Sequence, residues 1–174
     1  SARPVGGGAA IPAAYSRHIA RQVERNVPPD GSFATIRGRR IHYRDVGQGP
    51  AIVMIHGLAG QMRNFPAVAE RLQSSHRVVL IDRPGSGHSP GRGDDSLTDQ
   101  AAIVADLIDT LGLDRPLVVG HSLGGAVSMA LALDHPGKIA GLALIAPLTQ
   151  VQAEVPAAFR GLVIEKPGGR AIIS

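Results

Sequence analysis

Four short, uninterrupted apolar runs punctuate the chain: Ala51-Ile52-Val53-Met54-Ile55, Val78-Val79-Leu80-Ile81, Leu117-Val118-Val119 and Leu142-Ala143-Leu144-Ile145. A run of this length without polar alternation is what a strand buried on both faces needs, as in a parallel sheet covered by helices. Between the runs lie segments of helical period, Asn64 to Gln73, Leu97 to Leu111 and Leu123 to Asp134. Strands and helices therefore alternate. That order predicts right-handed crossovers and an α/β domain, a doubly wound, mostly parallel sheet with helices on both faces. Upstream, Ser32 to Ile36 and Arg40 to Val46 alternate like half-buried strands, with Arg37-Gly38-Arg39 between them as a hairpin turn. Gly47-Gln48-Gly49-Pro50 then breaks the chain before the first buried run.

The two ends read differently. Residues 1–11 are a small-residue, Gly-rich stretch with the composition of a linker. From Pro12 to Asn26, Tyr15, Ile19 and Val23 alternate with Arg17, Arg21, Glu24 and Arg25 as in a weakly amphipathic helix, stopped by Pro28-Pro29. After Pro147 the alternation ceases, and Leu148 to Ser174 shows a short helical pattern but no further strand. The expected division is a tail and helix over 1–31, a core over 32–147 and the start of an insertion over 148–174.

Composition narrows the picture in three ways. Only 3% of residues are aromatic and none is Trp, so a core must be built from Ala, Val, Leu and Ile. There is no Cys, which excludes disulfides, thiolate chemistry and cysteine-ligated metals. The formal charge is +4, and the excess is concentrated at Arg3, Arg17, Arg21, Arg25, Arg37, Arg39, Arg40 and Arg44, against only Glu24 and Asp30. A basic stretch permits anionic partners. With no aromatic stacking platform, zinc-knuckle spacing or recognition-helix pattern, nucleic acid is not expected. Peripheral contact with an anionic membrane through this basic region is the sharper reading, and a solvated basic face is the plainer one. No apolar stretch is long enough to cross a bilayer. The compartment stays open between cytoplasmic and membrane-peripheral. The first residue is Ser rather than Met, as expected of a processed chain.

The chemistry is concentrated in Gly120-His121-Ser122-Leu123-Gly124, a G-x-S-x-G pattern placed between the strand ending at Val119 and the helix opening near Leu123. A sharp strand-to-helix turn leaves no room for side chains at Gly120 and Gly124, strains the serine backbone and lifts its hydroxyl to the carboxyl edge of the sheet. The adjoining helix N-terminus favours a developing negative charge there. Ser122 could instead be no more than the helix N-cap. Two other loops leave the same edge. His56-Gly57-Leu58-Ala59-Gly60 follows the first buried strand and is suited to presenting the Leu58 N–H, which with the Leu123 N–H would form a two-donor oxyanion hole. Asp82-Arg83-Pro84-Gly85-Ser86-Gly87-His88-Ser89 follows the next.

These three loops, in this order, resemble the α/β-hydrolase superfamily, with its His-Gly loop, its Asp-x-Pro-Gly-x-Gly-x-Ser loop and its Gly-His-Ser-x-Gly-Gly elbow. The resemblance covers about Phe33 to Pro147. It implies a serine hydrolase of the esterase or lipase type, with Ser122 as nucleophile, Leu58 and Leu123 as oxyanion donors, and a mainly structural job for Asp82 to Ser89. It also implies that His56 and His121 support the site rather than act as its base, alongside Gly57, Gly120 and Gly124. No metal and no cofactor is implied. Serine at the nucleophile position argues against the epoxide hydrolases and haloalkane dehalogenases of this fold, which need a carboxylate there.

The departure from the family lies downstream. The family's acid and histidine follow the nucleophile, yet the only histidine after Ser122 is His135, at the far end of the nucleophile helix. Without a base the serine hydroxyl is a poor nucleophile at neutral pH. The expectation is a core incomplete on its C-terminal side, with residues 148–174 opening a cap insertion and the triad completed by a C-terminal segment of the same protein. The expected partner is a small ester or acyl substrate. The competing reading is a ligand-binding or scaffold protein that keeps the fold without hydrolysis.

Overall fold

The computed structural model describes residues 27–92, 95–149, 163–166 and 169–172. Both the Gly-rich tail and the helix expected over Pro12 to Asn26 lie outside them. A hairpin opens the fold, β1 (Ser32–Ile36) pairing antiparallel with β2 (Arg39–Val46) in the register Ile36 to Arg39. The connection is Arg37-Gly38 alone, with φ of 53° and 71°. Positive φ at both central residues is the turn whose twist matches two antiparallel strands. Arg39 therefore belongs to β2, one residue earlier than its sequence suggests.

The parallel part follows: β3 (Ala51–Ile55), α1 (Pro66–Leu72), β4 (Arg77–Ile81), α2 (Leu97–Thr110), β5 (Leu117–His121), α3 (Leu123–Asp134) and β6 (Gly141–Ile145). The six-stranded sheet has the order β1-β2-β4-β3-β5-β6. β3 runs parallel to both β4 and β5, and β5 to β6, while β2 meets β4 antiparallel. The chain thus steps from β3 to β4 on one side and returns across β3 to β5 on the other. A crevice opens between strands whose connections leave in opposite directions, at their carboxyl ends. That crevice lies between β3 and β5.

Alternate residues of each buried strand serve opposite faces. Val53, Ile55, Val79, Ile81 and Val118 pack with Ile103, Leu107, Val127 and Leu131 of α2 and α3, while Ile52, Met54, Val78 and Leu80 pack with Met62, Phe65 and Ala69 on the α1 side. Two apolar faces per strand explain the unbroken apolar runs. The helix expected over Asn64 to Gln73 is split: a short 3-10 turn covers Met62–Asn64, and α1 begins only at Pro66. A residue preceding proline avoids the helical region, and Phe65 stands at φ −115°, ψ 11°. α2 is capped by Ser96, whose Oγ accepts from Asp99 N at 3.1 Å.

The expectation of no strand after Pro147 is overturned. β7 (Val163–Lys166) and β8 (Gly169–Ile172) pair antiparallel, Val163 with Ile172 and Lys166 with Gly169. Each strand has four residues, and Glu165, Lys166 and Arg170 interrupt the apolar pattern, so no apolar run announces it. The Pro167-Gly168 dipeptide between them is the turn signal that would have found it. Residues 150–162, 167–168 and 173–174 of the expected insertion lie outside the described residues.

Candidate active site

Ser122 joins β5 to α3 with φ 53° and ψ −117°. A serine held there costs on the order of 1–3 kcal/mol and persists only where its surroundings over-determine it. They do. Its N–H donates to Ile145 O at 3.0 Å, and its carbonyl accepts from Gly125 N at 2.9 Å and from Leu148 N at 2.9 Å, so the loop leaving β6 holds the turn from one side. Gly120 and Gly124 clear the other. A Cβ on Gly124 would overlap the Ile55 carbonyl oxygen, and one on Gly120 would overlap Ser128 Oγ, which itself donates to Gly124 O at 2.7 Å. Ser122 occupies the N-cap position but is not a capping residue: its side chain makes no capping hydrogen bond. The capping reading of this serine fails on that point.

The loop after β3 lies directly against this turn. A Cβ on Gly57 would stand 3.0 Å from Ser122 Cβ and 3.1 Å from His121 Nδ1. Gly57 O accepts from His56 Nδ1 at 2.8 Å, from Arg83 Nη2 at 2.8 Å and from Gly60 N at 3.2 Å. The N–H groups of Leu58 and Leu123 donate no hydrogen bond among the described residues, and Leu123 N–H is one of the orphan donors at a helix start. One of these donors directly follows the serine, and the other follows Gly57, which lies against it.

His56 is fully buried, and both ring nitrogens are used: Nδ1–H donates to Gly57 O, and Nε2 accepts from Arg83 N at 3.0 Å. Burial, with Arg83 beside it, lowers its pKa to about 4. It is a neutral tie between two loops with no nitrogen left for a substrate proton. His121, the last residue of β5, is exposed and lies opposite Ile145 of β6. His135 caps the far end of α3, about 18 Å from its start for twelve residues. Ser122 Oγ has no hydrogen-bond partner among the described residues. Nor do the described residues include a cluster of three His, Cys, Asp or Glu fit for a metal.

The Asp82 loop is organised by its carboxylate, which accepts from Met62 N at 2.7 Å and His88 N at 3.0 Å and meets His42 Nδ1 at 2.7 Å. His42 N in turn donates to Ser89 Oγ at 2.8 Å. Gly87 leaves room for that carboxylate, since a Cβ there would overlap it. Two residues of this arrangement carried no sequence signal. His42 sits in an alternating strand where any inward residue would fit the pattern, and Arg83 fills a variable position of the Asp-x-Pro-Gly-x-Gly-x-Ser loop.

Comparison with known proteins agrees with this geometry. A family model described as the alpha/beta hydrolase fold matches residues 50–169. Over 138 residues the chain is 34% identical to a dihydrolipoyllysine-residue acetyltransferase component of an acetoin cleaving system from Cupriavidus necator, covering 78% of this chain and 37% of that protein. It is 33% identical over 122 residues to a pimeloyl-acyl-carrier-protein methyl ester esterase from Vibrio campbellii, covering 70% and 46%. Among solved structures, an esterase from Exiguobacterium antarcticum superimposes with a TM-score of 0.66 at 26% identity, covering 69% of this chain and 46% of that one. The chain thus spans less than half the length of these relatives. The elbow at Ser122, the glycine loop against it and the sheet order that brings them together are matched over most of the chain, and the protein belongs to the α/β-hydrolase family.

Proposed function

We propose that this protein is a serine hydrolase that cleaves a carboxylic ester or related acyl bond through an acyl-enzyme on Ser122. The observation that carries the reading is the backbone of Ser122, strained at φ 53° and ψ −117° with the Gly57 loop packed against it. Ser122 Oγ attacks the acyl carbon, its proton passes to a histidine, and the two amides hold the oxyanion. The tetrahedral species expels the alcohol, and water then releases the acid. One such donor is typically worth about 10²- to 10³-fold in kcat.

Because His56 is neutral, buried and doubly bonded and His135 is remote, the triad histidine and acid come from sequence beyond residue 174 in this reading. The relatives' greater length supports it. The methyl ester esterase among them supports an ester as the bond cleaved. A second reading, a ligand-binding protein that keeps the fold, is favoured by the unpartnered Ser122 Oγ. Intact mass of the purified protein before and after a fluorophosphonate probe separates the two. Addition of one probe mass at Ser122, absent in Ser122→Ala, supports the hydrolase; no addition to any form carrying a histidine-containing C-terminal fragment leaves the ligand-binding reading.

A further inference from the structure

Arg83 is 3% exposed and makes no ion pair with a carboxylate among the described residues. Its donors go to neutral oxygens: Nε to His56 O at 2.9 Å, Nη2 to Gly57 O at 2.8 Å and Nη1 to Gln100 Oε1 at 2.9 Å. Desolvation lowers its pKa only to about 10, so it remains a cation at neutral pH. The adjacent Asp82 carboxylate is engaged by Met62, His88 and His42. Burying an unpaired charge costs several kcal/mol, and neutral donors could satisfy the same carbonyls more cheaply. A site that keeps such a charge is prepared for an anion.

The position of that anion follows from peptide geometry. Gly57 O is held by three donors, from His56, Arg83 and Gly60. In a trans peptide the C=O and the following N–H point in opposite directions, so fixing Gly57 O turns Leu58 N–H away from Arg83. Gly57 lies against Ser122, with its Cβ position 3.0 Å from Ser122 Cβ. Hydrogen bonds to a peptide's oxygen also polarise its N–H. We propose that Arg83 is a positioning residue of the oxyanion site: its buried guanidinium holds the Gly57–Leu58 peptide with Leu58 N–H toward Ser122, and sets a positive charge behind that peptide, where the substrate's carbonyl oxygen becomes negative. The role rests on the reading of Ser122 as an acyl-transfer nucleophile. It adds no covalent step.

The test is the inactivation kinetics of the full protein with a fluorophosphonate, for wild type, Arg83→Met and Arg83→Lys, each checked for cooperative thermal unfolding. Arg83→Met should lower the maximal inactivation rate by about 10- to 100-fold with the probe's half-saturation constant within about twofold, since the charge acts as the oxyanion forms rather than on binding. Arg83→Lys keeps the charge but not the two-pronged hold on His56 O and Gly57 O, and should fall between the neutral variant and wild type. If Arg83→Met does not fold, Arg83→Gln, which keeps a donor without the charge, takes its place with the same expectation. Equal rates in the neutral variant and wild type would overturn the role while leaving Ser122 as the nucleophile. Equal losses in the lysine and neutral variants would overturn it as well, because shape alone would then explain them. A wild type that takes up no probe would instead sink the hydrolase reading, and this role with it.

Discussion

At the scale of single residues, Ser122 shows how a site can be less stable than its neighbours require. Its φ of 53° and ψ of −117° lie where glycine is at ease and serine is not. Ser122→Gly should therefore raise stability by roughly 1 kcal/mol, the relieved strain outweighing glycine's greater freedom in the unfolded chain. For a domain of this size that is about 2–4 °C in the melting midpoint. The same variant should lose all fluorophosphonate labelling. A lower melting midpoint than wild type would mean that the turn is not strained. The motif and the strain it puts on the serine were legible in the sequence because only small residues fit around it; the hold of Ile145 and Leu148 on the serine's backbone was not, since it comes from the far end of another strand.

At the scale of elements, the exits of β3 and β4 are tied by His56, whose Nε2 accepts from Arg83 N and whose Nδ1 serves Gly57 O. Its pKa falls from 6.5 to about 4 in the folded state, mainly through burial. Between those values the unfolded chain takes up a proton that the folded one refuses, so stability falls as pH drops from 6.5 to 4 and is insensitive to this group above 6.5. The full loss is about 3 kcal/mol. Unfolding free energies of wild type and His56→Gln, from urea titrations between pH 7 and pH 4, should converge by about that amount. A difference independent of pH would show that His56 is not held neutral. Sequence could place His56 at the end of a strand, but its partner is 27 positions away and came from the fold. The split of the first helix at Pro66, by contrast, was written locally and could have been read from the proline.

At the scale of the whole molecule, the basic N-terminal third is less available to an anionic surface than its composition suggests. Arg37 pairs with Asp106, Arg39 with Asp95 and Arg44 with Asp30, and Arg40 lies 3.5 Å over the Phe33 ring. Arg3, Arg17, Arg21 and Arg25 lie outside the described residues. No described helix is long and apolar enough to cross a membrane. The other end of the sheet carries part of the apolar exposure. β6 is the last strand in the order, Ile145 is 51% and Leu144 38% exposed, and Leu133 of α3 is 81% exposed. Among the described residues no strand pairs with the outer side of β6, and an open strand edge beside apolar side chains is a template for association. The 174-residue chain should self-associate at roughly 10–100 μM in sedimentation velocity, and Ile145→Lys should reduce it. A wild-type chain that stays monomeric throughout that range would show this edge to be harmless.

The sequence by itself determined the class of fold and the place of the candidate nucleophile. Strands buried on both faces must be apolar at every position, helices between them must repeat at 3.6 residues, and a strand-to-helix elbow must be flanked by glycine; each of these is a local demand that leaves a local trace. What only the tertiary structure decided were the relations between distant segments: that β5 lies beside β3 rather than beside β4, so that Gly57 meets Ser122; that His42 reaches Asp82 across 40 positions; and that Arg83 is buried without a carboxylate behind the Gly57–Leu58 peptide. Strand order and buried polar pairing depend on which surfaces meet, and a pattern along one chain does not record what it will face.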